Sequence, residues 1–193
     1  ERALHTILRK PISVLGAGRT DAGVHALSFV AHFDWDGSLD LPPENKLLYT
    51  LNQVLPLDIS VNSLRKVHND AHARFSALWR TYQYNISNRK NPFTTDTAWL
   101  IRYPLDIELM QQASQMLLEV SDFASFCKLG SDIKTTHCTV VRAHWESTAE
   151  GLTFTIRANR FLRDMVRAVV GTLVDVGRGK ISLQEFAQII EQK

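Results

Sequence analysis

The chain has 193 residues, 45% of them hydrophobic and 22% charged, with a formal net charge of +2. That length supports one large domain or two small ones with real cores, and the balance is that of a globular protein rather than a disordered or fibrous one. No apolar run reaches the ~20 residues a bilayer span needs. In chain order, Glu1–Lys10 reads as a charged helical segment rather than a secretory leader, already in mid-helix at Glu1, as expected of a fragment. Alternating apolar residues predict strands at Ile12–Leu15 and Ala26–Phe33. Pro42-Pro43 leads into a short helix over Glu44–Val54, and Ile59–Val67 is a further strand candidate. A strand is predicted at Leu78–Ser87. Leu109, Met110, Ala113, Met116, Leu117 and Val120 share one face of a helix over Asp106–Val120, with Asp106 as its N-cap. Strands follow at Thr139–Glu146 and Leu152–Ala158. The next helix spans Asp164–Val176 and stops at Gly177. A last one opens on a Ser182/Glu185 capping box and carries Phe186, Ile189 and Ile190.

Strands and helices mix without strict alternation, which predicts an α+β fold. Acidic sequence gives way to basic near His68-Asn69-Asp70, so a boundary is predicted there, with halves 1–70 and 71–193. Between Asp34 and Asp58 five acids face Lys46 alone. From Ala71 to Phe93 there are four basic residues and no acid, and from Arg157 to Lys180 six basic residues against Asp164 and Asp175. Two such segments would attract a polyanion, the acidic stretch facing away; an unevenly charged solvated surface is the plainer alternative. Cys127 and Cys138 predict no disulfide framework, and a reducing cytoplasm is the simplest location.

Gly16-Ala17-Gly18-Arg19-Thr20-Asp21-Ala22-Gly23-Val24-His25 lies between two predicted strands, its glycines allowing tight turns and close approach to a ligand. A dinucleotide fingerprint needs glycine where Asp21 stands and a helix afterwards, so that reading fails. What remains is a carboxylate on a glycine-flanked loop, fit for a nucleophile, a base or a metal ligand, or simply capping backbone N–H groups and pairing with Arg19. No metal site is expected. His68 and His72 lead into a strand rather than sharing a helix face, and Cys127, His137 and Cys138 lack a fourth ligand at zinc spacing.

Read whole, Gly-Arg-Thr-Asp-Ala-Gly-Val-His-Ala at Gly18–Ala26 resembles the active-site motif of the tRNA pseudouridine synthase A family. His72-Ala73-Arg74-Phe75-Ser76-Ala77, followed by Arg80-Thr81-Tyr82-Gln83-Tyr84, resembles its second motif. Asn159-Arg160-Phe161-Leu162, with Met165-Val166-Arg167 and Gly171, resembles its third. The resemblance implies the pseudouridine synthase α+β fold, two ferredoxin-like halves meeting in an antiparallel sheet around a basic cleft, with further strands before Glu1 and after Lys193. It implies isomerisation of uridine to pseudouridine at positions 38, 39 and 40 of the tRNA anticodon arm, by a homodimer, without metal or cofactor. Asp21 would be the catalytic carboxylate, attacking ribose C1′ or uracil C6. Arg167 would hold it through a two-pronged pair, and Tyr82 would stack on the flipped uracil and assist proton transfer. Arg19 would help extrude the base. His25, Arg74 and Arg80 would touch RNA, and Arg160 and Arg163 its phosphates. An RNA-binding module without catalysis is the alternative from another class.

Overall fold

A computed structural model describes residues 1–36, 41–127 and 134–192. By packing, the chain forms two units, Glu1–Thr20 with Ala26–Ala77 and Asp21–His25 with Leu78–Lys193. The loop carrying Asp21 thus packs with the second unit although its flanks pack in the first.

The first unit holds helix α1 (Arg2–Leu8), a two-residue antiparallel pair β1 (Leu15–Gly16) and β2 (Ala31–His32), and helix α2 (Glu44–Val54). Leu4 and Leu8 of α1, Ile12, and Leu47 and Leu51 of α2 are buried together, the i, i+4 spacing of each helix supplying its apolar stripe. The predicted helix over Glu44–Val54 is present with those bounds. The predicted strands here are not. Only Leu15 of the first is paired, only two residues of Ala26–Phe33 are, and Ile59–Val67 forms no strand. The reason is visible at Asn52, whose side-chain amide donates to the Val61 carbonyl at 2.9 Å and accepts from the Val61 N–H at 2.8 Å. A side chain on α2 thus serves the backbone that a neighbouring strand would otherwise satisfy.

The second unit is a four-stranded sheet, in the order β4 (Ala98–Leu100), β3 (Arg80–Ser87), β6 (Gly151–Ala158), β5 (Val140–Thr148), with α3 (Ile107–Met116), α4 (Met165–Gly177) and α5 (Leu183–Glu191). Strands β3, β6 and β5 pair antiparallel, in register Tyr82↔Ile156 and Ala143↔Ile156. Alternation puts Ile86, Phe154, Ile156, Ala143 and Trp145 into the core with Met110, Val169, Leu173 and Phe186 of the helices. The opposite face carries polar residues such as Arg142, His144 and Glu146, linked along β5 by hydrogen bonds. Strand β4 was not predicted; it is a three-residue edge, too short to alternate, paired parallel to β3.

The predicted caps hold. Asp106 accepts from Leu109 N–H at 3.0 Å, and Ser182 and Glu185 close a capping box. At Gly177 the expected reason is wrong. It is the last residue of α4, and a Cβ there would meet Met110 Sδ at 2.4 Å, so glycine serves close approach of α3 and α4; the left-handed turn falls at Gly179, φ 70°. Among the described residues no helix is long and apolar enough to cross a membrane.

Candidate active site

Helix α4 sets the site. Met165, Val169 and Leu173 repeat at i, i+4 and are buried, so Arg167, roughly 200° around the helix from Met165, faces outward with two thirds of its side chain exposed. Its Nη1 lies 3.8 Å from Asp21 Oδ2 and 3.9 Å from Asp164 Oδ1. The expected two-pronged grip on Asp21 is therefore a single, long ion pair, and the guanidinium is shared with a second carboxylate. A pair this exposed adds at most about 1 kcal/mol to folding, so what it provides is position.

Asp21 opens a short turn in which Val24 N–H donates to the Asp21 carbonyl at 3.3 Å, and Gly23 takes φ 80°. That conformation costs a residue with a Cβ and not glycine, which explains why the carboxylate is followed by Ala-Gly. Asp164, one residue before α4, is itself left-handed at φ 60°. It does not cap the helix; its carboxylate turns to Arg167 instead.

Tyr82 stands half-buried on β3 with its ring edge-on to Phe161, centroids 5.0 Å apart. Burial raises its phenol above the ordinary value, Arg80 partly offsets this, and the charge of Asp21 adds to it. The phenol is therefore neutral at physiological pH. Arg80, two residues earlier on the same face, donates from Nη1 to the Asn159 carbonyl at 2.9 Å. Arg167 also lines a pocket of about 470 Å³ with Trp99, Tyr103, Gly171, Arg178 and Lys180, in which Arg178 lies 4.2 Å from the Tyr103 ring centroid.

The second unit thus brings together Asp21, Tyr82, Arg80 and Arg167. His25 is exposed in the same loop. Arg160 is half-buried near Cys138, whose thiol burial pushes up to about 11 while Arg160 opposes the shift. Arg163 is exposed just ahead of α4. Arg19 and Arg74 are exposed residues of the first unit. Two site residues had no predicted role: Phe161, which braces Tyr82, and Asp164, which shares Arg167. Phe161 stands inside the third motif. Asp164 had no signal beyond its spacing of three from Arg167. Among the described residues no three His, Cys, Asp or Glu side chains could hold a metal ion.

Comparison with known proteins gives a consistent set of relatives. A family model described as tRNA pseudouridine synthase matches residues 113–193. A protein of Bacteroides fragilis named tRNA pseudouridine synthase A is 51% identical over 194 residues, covering 100% of this chain and 76% of its own length. Similarly named proteins of Azobacteroides pseudotrichonymphae and Bacteroides thetaiotaomicron are 46% and 48% identical, again over 100% of this chain, and 76% and 71% of their own lengths.

Proposed function

The chain belongs to the tRNA pseudouridine synthase family, and from that premise we propose that Asp21 is the carboxylate with which it isomerises uridine to pseudouridine in tRNA. The reaction breaks the bond between ribose C1′ and uracil N1, turns the base and rejoins C1′ to C5; C5 gives up its proton and N1 takes one up, so the product is an isomer of the substrate. The observation that carries this reading is the carboxylate at a glycine-permitted turn, 3.8 Å from Arg167 and close enough to Tyr82 for its charge to act on the phenol. The guanidinium beside the carboxylate supplies the counter-charge it needs once substrate shuts out water. Tyr82 offers a ring for the extruded uracil to stack on and a proton to donate, since every base presents a π-face.

On the same reading the targets are positions 38, 39 and 40 of the anticodon arm, recognised through shape and backbone charge rather than one sequence. Arg19 assists extrusion, His25, Arg74 and Arg80 touch RNA, and Arg160 and Arg163 meet phosphates. The two units are the cores of two ferredoxin-like halves, and the enzyme acts as a homodimer in the cytoplasm, without metal or cofactor. The deciding experiment uses tRNA tritiated at uridine C5. Wild-type protein is expected to release tritium, and Asp21→Ala to release it about 10⁴-fold more slowly while still binding tRNA. Release by Asp21→Ala at the wild-type rate would remove Asp21 from the chemistry.

A further inference from the structure

His72 to Ser76 form a turn fixed by five hydrogen bonds, all within the first unit. Ser76 N–H donates to the His72 carbonyl at 2.9 Å, and His72 N–H to Ser76 Oγ at 3.0 Å. The three N–H groups between them go to imidazoles. Those of Arg74 and Phe75 donate to His72 Nδ1 at 3.1 and 3.2 Å, and that of Ala73 to His32 Nδ1, on β2, at 3.1 Å. An imidazole nitrogen accepts only without a proton, so both rings carry theirs on Nε2. The two rings meet edge-on, centroids 4.7 Å apart, and His72 lies 4.3 Å from the ring of Phe75.

The product of this framework is an aromatic ring in water. Phe75 is 77% exposed, at the tip of the turn, with the Arg74 guanidinium 5.8 Å from its centroid. It adds almost nothing to the core, yet two histidines hold it in place. The exposed residues beside it on the turn, Arg74 and Ser76, are charged and polar, which suits a polyanion better than an apolar protein face. Unpaired RNA bases are bound by stacking on aromatic rings with cations at the adjoining phosphates, and a preformed platform avoids the entropy of ordering one. We infer that Phe75 is a stacking platform for an unpaired base of the tRNA, with Arg74 on the neighbouring phosphate and His32 and His72 as positioning residues. This rests on tRNA being the substrate.

The test measures KM and tRNA affinity in the full-length protein. Phe75→Ala should raise both KM and Kd about tenfold, whereas Phe75→Trp stays within about threefold of wild type. His72→Ala should follow Phe75→Ala, and His72→Asn should recover most of the loss, because Oδ1 can take the place of Nδ1 as acceptor. Melting curves show whether each variant folds, and sedimentation reports its oligomeric state. Wild-type KM and affinity in folded Phe75→Ala overturn the inference. So does a loss accompanied by a changed oligomeric state, which would assign the ring to a contact between copies. Failure of the tRNA reading is distinct, since wild-type protein would then release no tritium from C5.

Discussion

Arg167 divides its charge between Asp21 at 3.8 Å and Asp164 at 3.9 Å, an arrangement only a planar, multi-donor cation serves well. Arg167→Lys is therefore expected to lower kcat by about 10²-fold with little change in melting temperature. Asp164→Asn keeps a residue that tolerates the left-handed conformation and removes one claim on the guanidinium. A smaller drop in kcat/KM is expected, about fivefold, equivalent to roughly 1 kcal/mol; unchanged kinetics would reduce Asp164 to a bystander. Tyr82 has a phenol that burial holds above its ordinary value, so its proton stays on through the neutral and mildly alkaline range. The kcat–pH profile should show no fall between pH 7 and 9 that Tyr82→Phe abolishes. Tyr82→Ala, which loses the ring as well as the proton, should be the slower variant. Asp21, Tyr82 and Arg167 were singled out in the sequence by contiguous motifs. The division of Arg167 was not, because a left-handed aspartate turned away from its own helix leaves no mark in residue type.

Elements were legible where packing agrees with local pattern. Helices α2, α3, α4 and α5 have apolar stripes or caps that face a buried surface, and each lies within a few residues of its predicted span. Strands β3, β5 and β6 alternate because one sheet face is buried. The misreadings share a physical cause: alternation states which face a strand would bury but not whether a partner strand stands beside it. Around Val61 the partner is the amide of Asn52. Asn52→Ala is expected to cost about 1 kcal/mol for the two exposed bonds, a fall of a few degrees in melting temperature, with turnover intact at assay temperature. At α5 the capping hydrogen bonds from Ser182 hold the Glu185 carboxyl below its usual range. A lowered carboxylate contributes stability above its unfolded pKa and loses it as pH falls through the folded one. Glu185→Gln should therefore lower the melting temperature at neutral pH, and the gap to wild type should narrow as the medium becomes acidic.

For the whole molecule the net charge of +2 says little, and the grouping of that charge says more. Ala71–Phe93 and Arg157–Lys180 hold ten basic residues against two acids. Replacing Arg160 and Arg163 by glutamate should weaken tRNA binding and flatten its dependence on salt, each lost phosphate contact removing nearly one unit of the log–log slope. An unchanged slope would clear both arginines of phosphate contact. Charge grouping was readable at once; the allegiance of the Asp21 loop was not, because sequence order places it among residues of the first unit. Asp21–His25 nevertheless pack with the unit that begins again at Leu78. The consequence is one of inheritance. A gene segment encoding Leu78 onward carries the arginine and the tyrosine but not the acid. A crossover between two parent genes at Ala77–Leu78 would seat one parent's aspartate against the other parent's arginine. Shuffled offspring should thus lose turnover when their parents diverge around Arg167, even where both units fold well, and the viable crossovers should be those that transmit the Gly18–Ala26 loop and α4 together.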